Sequence, residues 1–398
     1  MFKNKLVLVS PIIALAVIFI FSLTLFPSVQ PKPKNLPIAI VNEDEGVELP
    51  NQPKMNMGQT IVEMMQKTST STSTKDEEPA VKWVEVKSSN AVQKGLDNQK
   101  YYAALVIPKD FSAKQASLRT PAPSAPEIQI LINQGMNMAA ATMAGQVLNG
   151  VVDNMNNTVR NQLLDGFEKQ GATLTAKQAA SLAVPITKKV TNVNEIGTNS
   201  ANGNAPISLF QPLWMASLAS AAILFIAISK MPITTRKEKL VTKAGQIIMS
   251  AIVALVIGFG FTWIAKGMVG LNIPDFMDTA LFLTITSFTF ILMILAVLSL
   301  VGIKGIGFFA LLLFFGGPIL AMAPEMMSPF YRDWIYSWLP MRFMVDGLRK
   351  IFFFGEGLTW NTPISVLVWI GLAGMIVILG TALKRNKVKE VGSDSRNM

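Results

Sequence analysis

The chain reads as an α-helical polytopic membrane protein. Six transmembrane helices are expected in a one-plus-five arrangement, with an extracytoplasmic mixed α/β domain and a long helical stalk between the first and second spans. Three observations lead there. Six apolar segments run near residues 6–26, 208–229, 245–265, 280–301, 306–322 and 363–383. A span needs roughly 20 apolar residues, with about 17 as the short limit. Apolar residues make up 51% of the 398 and charged residues only 15%, where a soluble chain carries about 25% charged. The basic residues, finally, gather at the ends of alternate apolar segments.

That placement sets the expected topology. The net charge is +10, yet residues 28–207 are near neutral, so the excess lies around the spans. Lys3 and Lys5 precede the first. Lys230, Arg236, Lys237, Lys239 and Lys243 lie between the second and third, Lys304 between the fourth and fifth, and Lys384, Arg385, Lys387 and Lys389 after the sixth. By the positive-inside rule both termini and the loops 230–243 and 302–305 face the cytoplasm of a plasma-membrane protein. The 28–207 insert, the 267–279 loop with Asp275 and Asp278, and the 323–362 segment then face outward. Charges placed at span ends do not make a nucleic-acid footprint. Four regions follow: an N-terminal anchor (1–27), the outer domain (28–207), a five-helix membrane domain (208–384) with re-entrant or interfacial helices near 323–362, and a cytoplasmic tail (385–398).

The first apolar run has the positive start of a signal peptide. It is long, and residues 22–27 lack an Ala-x-Ala-like cleavage site, which favours an uncleaved signal anchor over a cleaved leader.

The insert opens with Pro27, Pro31, Pro33 and Pro37, a stiff extended exit. Residues 36–41 (LPIAIV) are short, apolar and β-branched, a buried strand, and 42–46 close it as a turn. Residues 58–66 are helix-like. The Ser/Thr run 68–74 reads as a mobile loop. Residues 81–86 (VKWVEV) alternate as a strand, and 89–98 form a short helix with Ser89 or Asn90 as cap. Residues 101–107 (YYAALVI) are a third strand, stopped by Pro108, and 128–132 a fourth. From 137 to about 170 the period changes. Ala141, Ala144, Leu148, Val152, Met155, Val159 and Leu163 recur at three- and four-residue steps, one face of a long amphipathic helix. That face either packs on the sheet or pairs with a partner or second copy. A shorter helix over 175–182 and an extended return over 184–193 complete the insert.

Sites for chemistry are sparse. The chain has no Cys and no His, which removes disulfides, Cys/His zinc sites, thiol nucleophiles and His-based triads. No Walker-type phosphate loop occurs. Gly302–Gly307 sits between two apolar spans and reads as a tight loop with close helix packing. The Glu43-Asp44-Glu45 run lacks the spacing of a calcium loop and reads as a solvated turn. No catalytic, cofactor or metal site is expected. The span interiors hold no ionisable group of the kind that relays protons or ions; Lys266 stands at a span end, where it can snorkel. A chain of this kind that moves a substrate needs a separate engine; without one it is a receptor or scaffold.

Two segments carry candidate functional residues. In the 230–243 loop, Met231 and Pro232 precede Arg236, Lys237 and Lys239, with Pro232 expected to start a helical turn. The loop reads as an anchor on anionic lipid, as a docking surface for a cytoplasmic partner, or as both. In 322–362, Glu325, Arg332, Asp333, Arg342, Asp346 and Arg349 interrupt apolar residues, and Tyr331, Trp334, Tyr336, Trp338 and Trp360 are interface-seeking. Three prolines cut this stretch into pieces too short to span. It reads as interfacial helices, either a plain connector or an outer gate. Gly316-Gly317-Pro318 is expected to loosen the fifth span.

Three blocks add a resemblance: IAIVNEDEG over 38–46, YYAALVIPKDFS over 101–112 and NAPISLFQPLW over 204–214. With the one-plus-five layout they resemble the YhgE/Pip family across nearly the whole chain, a family similar to the membrane subunits of type-two ABC exporters. The resemblance implies a homodimeric permease, not itself an enzyme, that moves an amphiphilic or lipid-like substrate outward using a separate cytoplasmic nucleotide-binding ATPase. The ATPase would dock at Met231, Pro232, Arg236, Lys237 and Lys239, and the outer helices would guard the exit. Such exporters usually begin with an amphipathic helix on the inner face; here Met1–Lys5 alone precede the first span, so that contact is expected to be absent or reduced. Relatives include phage-infection proteins and components similar to the type VII secretion membrane subunit, which implies the alternative: a receptor or secretion scaffold acting through its outer domain.

Overall fold

A computed structural model describes residues 33–48, 53–71, 78–171 and 173–383, and of the first apolar run only residues 11, 12, 15, 18, 19 and 22. The span expected over 6–26 and the tail over 385–398 therefore lie largely outside the described residues. These fall into two compact units. One holds the described residues as far as Ser208 together with Phe314–Glu356; the other holds Leu209–Leu313 and those from Gly357 onward.

The first unit is built on a five-stranded sheet. In chain order its elements are β1 (Leu36–Asn42), α1 (Met57–Ser71), β2 (Val81–Glu85), α2 (Ser89–Asp97), β3 (Ala103–Ile107), α3 (Phe111–Ser117), β4 (Glu127–Asn133), α4 (Met138–Lys169), α5 (Ala176–Ala183), β5 (Thr187–Val193) and the short α6 (Ala205–Ser208). The sheet order is β2-β1-β3-β4-β5. β1 runs parallel to both β2 and β3, β4 is antiparallel to β3, and β5 is parallel to β4. Each parallel pair needs a crossover: α1 joins β1 to β2, α2 leads from β2 into β3, and α4 with α5 joins β4 to β5.

The strand sequences explain which strands are central. β1 and β3 are apolar almost without break, and both are buried along their length, as expected of strands covered on two faces. Alternate residues feed different cores. Leu36, Ile38, Ile40, Leu105 and Ile107 pack with α1, α3 and α4. Ala39, Val41, Ala104 and Val106 pack with Val92 and Leu96 of α2. β5 is an exposed edge carrying Lys188 and Lys189, charges that discourage further strand pairing.

α4 is 32 residues long, and Asn137 caps it by accepting from the Ala140 amide at 3.2 Å. All seven residues read from the sequence as one face are buried in the sheet core, so that face packs within the chain. Asn156 on the same helix makes a two-way bond with the Ile186 backbone, at 2.9 and 2.7 Å. Two expectations change. The cap of α2 is Ser88, whose hydroxyl accepts from the Ala91 amide, because Ser89 is engaged by Glu43. Part of the Ser/Thr run, through Ser71, belongs to α1; residues 72–77 lie outside the described residues.

The second unit contains α7 (Phe210–Ser229), α8 (Arg236–Trp263), which continues into a π-helical turn over Ile264–Met268, and α9 (Phe276–Val301). After the 3-10 turn Ile303–Gly305 comes α10 (Ile306–Ala321), within which the division between the units falls. The chain returns to the second unit with α12 (Thr362–Ala382), after α11 (Pro340–Phe353) in the first. Among the described residues five helices are long and apolar enough to cross a membrane: Ala205–Ser229, Arg236–Met268, Phe276–Val301, Ile303–Ala321 and Thr362–Ala382. α10 runs as one helix through Gly316, Gly317 and Pro318, and Pro318 removes one backbone hydrogen bond within it.

α9 is the hub, packed by α7, α8 and α12. Small residues set the close approaches. A Cβ at Gly258 of α8 would meet the Ala280 carbonyl oxygen at 2.6 Å, and one at Gly374 of α12 would meet the Leu292 backbone at 3.0 Å. Trp214 of α7 is fully buried, donates to the Phe309 carbonyl at 3.1 Å and packs edge-on against Phe290.

Candidate functional site

The segment linking α7 to α8 contains the first set of candidate residues. Pro232 lies in a non-helical stretch and starts no turn. The helix starts instead at Arg236, set by a capping box: the Thr235 hydroxyl accepts from the Glu238 amide at 3.1 Å, while the Glu238 carboxylate accepts from the Thr235 amide at 3.2 Å and the Thr234 amide at 3.0 Å. The Thr-x-x-Glu spacing carried that signal in the sequence. Met231, Pro232, Arg236 and Lys237 are exposed and Lys239 is half-buried. The basic residues are thus on the first turns of the same 28-residue helix that becomes the apolar stretch. Two turns further on, Lys243 donates to Gln246 and to Ser299 of α9, each at 3.2 Å, which fastens this end of α8 to the hub.

The second set lies in residues 321–356, a run of short pieces: 3-10 turns at Pro324–Met326 and Tyr336–Trp338, a π-helical turn at Tyr331–Ile335, and α11. This segment is bonded into the first unit at several points. The Lys34 amide donates to the Glu325 carbonyl at 2.8 Å, Asn137 Nδ2 donates to the Ala321 carbonyl at 3.0 Å, and the Tyr102 phenol donates to the Glu325 carboxylate at 2.8 Å. Ala323 and Met326 join the sheet core.

Four of the six candidate charges gather around one buried tyrosine. Glu325, Arg342, Asp346 and Arg349 all act electrostatically on Tyr336, whose pKa is pushed far up, first by burial and then by Asp346. The Arg342 guanidinium lies 4.9 Å from the Tyr336 ring and 4.7 Å from that of Phe343. Asp346 has its carboxyl pKa raised by burial, with Arg349, Arg342 and Lys350 opposing. The buried Nε atoms of Arg342 and Arg349 have no hydrogen-bond partner among the described residues. Arg332 pairs with Asp333 at 2.8 Å and is acted on more weakly by Glu78 and Glu325. Of the aromatics, Trp334, Trp338 and Trp360 are exposed as expected, but Tyr331 and Tyr336 are buried. From the sequence Tyr336 reads only as an interface-seeking aromatic and Tyr102 only as a strand residue, since nothing local marks either as a partner of the distant charges.

The acidic turn is structural. Glu43 accepts from the Ser89 hydroxyl at 2.6 Å and amide at 2.9 Å, which lowers its pKa. Asp44 is buried rather than solvated and accepts from the amides of Gly46, Gly58 and Ser112 and from the Ser112 hydroxyl. Such a carboxylate is fully occupied. Gly302 has φ 78° and leads into the 3-10 turn, where Gly305 lies against Val297, Leu298 and Val301.

Compared with known proteins, residues 5–383 match the family model of the ABC-2 family transporter proteins. Neither a curated protein nor a solved structure matches the chain.

Proposed function

The chain belongs to the ABC-2 transporter family, and on that premise we propose that it is the membrane permease subunit of an ABC-type exporter of the YhgE/Pip kind, driven by a separate cytoplasmic ATPase. In this reading the first span crosses over 6–26, both termini and the 230–243 loop are cytoplasmic, and the sheet-bearing unit is outside. Two copies form the working dimer. The substrate is amphiphilic or lipid-like, because the apolar stretches offer no charged path to a hydrophilic one.

The observation that carries the proposal is the construction of α8. Its capped first turn presents Arg236 and Lys237 to solvent, and the same helix continues unbroken into the apolar stretch. A push on the basic turn is therefore transmitted along a rod. The uncharged interiors point the same way, since they leave no means of coupling to an ion gradient.

Purification of the tagged chain in mild detergent tests this. A nucleotide-binding subunit is expected to co-purify. Reversal of Arg236, Lys237 and Lys239 to Glu is expected to reduce its recovery at least tenfold and to stop export. Recovery of no such subunit, together with unchanged export by the triple variant, would overturn the proposal.

A further inference from the structure

The first unit is not filled everywhere. Between α1, β2 and α4 lies a cavity of about 600 Å³, in an interior where voids larger than a water molecule are few. The volume falls within the range of about 300–1,000 Å³ seen for small-molecule sites. The wall is mostly apolar, with Met57 from α1, Trp83 from β2, and Val151 and Met155 from α4. Among the described residues five methionines line it and no charged residue does. Methionine is unbranched and flexible, so such a wall adapts to an occupant of variable shape. Thr158, an exposed residue, stands at its rim.

One polar group in the wall is unmatched. Gln115, on α3, lines the cavity, and its Oε1 is buried without a hydrogen-bond partner among the described residues. A buried acceptor left unpaired is unfavourable, so the occupant that fits best brings a donor.

We propose that this cavity binds the aliphatic chain of a neutral amphiphile whose polar end, a hydroxyl or an amide N–H, donates to Gln115 Oε1. The uncharged wall disfavours nucleotides, metal ions and other charged ligands. An ionised fatty acid fits less well than a long-chain alcohol or amide, because its carboxylate only accepts. The inference concerns binding alone and stands whether or not the chain exports.

The test uses the full chain in phosphatidylcholine nanodiscs, irradiated with a diazirine-bearing hexadecanol, with adducts mapped by mass spectrometry. Labelling is expected within residues 57–65 or 147–162 and to be abolished by excess unlabelled hexadecanol. Labelling of the apolar helix over 210–229, a matter of partitioning, should not saturate. Val151→Trp fills the cavity and is expected to cut the saturable labelling at least tenfold while leaving the non-saturable part unchanged. Gln115→Leu should weaken labelling by the alcohol about fivefold and leave a diazirine-bearing hexadecane unaffected. If the 57–65 and 147–162 peptides stay unlabelled, or label without saturation, the proposal is overturned. The competition arm needs no variant, so it decides even if Val151→Trp fails to fold.

Discussion

The phenol of Tyr102 donates a 2.8 Å hydrogen bond to the carboxylate of Glu325, which lies 223 positions further along the chain. This contact helps make residues 321–356 part of the sheet-bearing unit. Burial, reinforced by the negative charge of Glu325, holds the Tyr102 pKa well above its usual 10.0. Tyr102→Phe is expected to destabilise the unit by about 1.5–3 kcal/mol, the usual value of a hydrogen bond to a charged group. The Tyr102→Phe/Glu325→Leu double variant should lose less than the two single losses added together, since the paired groups leave together. The measurement is the thermal midpoint of the detergent-solubilised chain. A raised pKa means that the stabilisation is fully present below about 10 and is lost as pH climbs through the folded value. The wild type should therefore weaken above pH 10 in a way that Tyr102→Phe does not.

Asp346 gives a prediction at the other end of the pH scale. Burial raises its carboxyl pKa above the 3.8 of an unperturbed aspartate, and the neighbouring Arg349, Arg342 and Lys350 offset this only in part. Its protonated form is the one the fold favours, so its contribution is present below about pH 3.8 and declines as pH rises through the folded value. Asp346→Asn removes that decline. Relative to wild type, its unfolding midpoint should rise between pH 4 and pH 7. A wild type that gains on the variant over the same window would show that attraction to the arginines outweighs burial.

What the sequence disclosed and what it withheld follow from the range of the interactions involved. The strands at 36–42 and 103–107 were legible because continuous β-branched and apolar runs have no other stable use, and the α4 face because seven apolar positions share one helical period. The start of α8 was also written locally, in Thr235 and Glu238, though Pro232 drew the reading away from it. The α2 cap went to Ser88 because Glu43, far back in the chain, claims Ser89. The bonds from Lys34, Tyr102 and Asn137 to residues 321–325 each join residues at least 184 positions apart, and no local pattern encodes them. For the same reason the six candidate charges could be read as a group but not sorted into the four that act on Tyr336 and the two, Arg332 and Asp333, that pair with each other.

Gly258 and Gly260 lie two positions apart on α8 and predict opposite outcomes. A methyl at Gly258 would collide with the Thr284 side chain and the Ala280 carbonyl of α9, whereas one at Gly260 meets nothing within 4 Å. Gly258→Ala should separate the helices and cost about 1–3 kcal/mol, the usual penalty of overpacking. Gly260→Ala should be neutral. Size-exclusion profiles after graded heating would show the first variant lost at a lower temperature and the second unchanged.

Asp44 joins two helix starts through one carboxylate. Its Oδ2 accepts from the Gly58 amide in the first turn of α1 at 3.1 Å, and its Oδ1 from the Ser112 amide in the first turn of α3 at 2.9 Å. The Ser112 hydroxyl donates to Asp44 and accepts from the Met57 amide at 2.8 Å, so the two caps are coupled. Negative charge also suits both helix N-termini. Each cap is worth about 0.5–2 kcal/mol, and Asp44→Ala removes both, for an expected loss of about 1–4 kcal/mol. Glu45→Ala, an exposed neighbour, should change stability by no more than about 0.5 kcal/mol. Amide hydrogen exchange distinguishes the two. Asp44→Ala should accelerate exchange in the first turns of both helices together, and acceleration confined to one would show that the carboxylate serves a single helix.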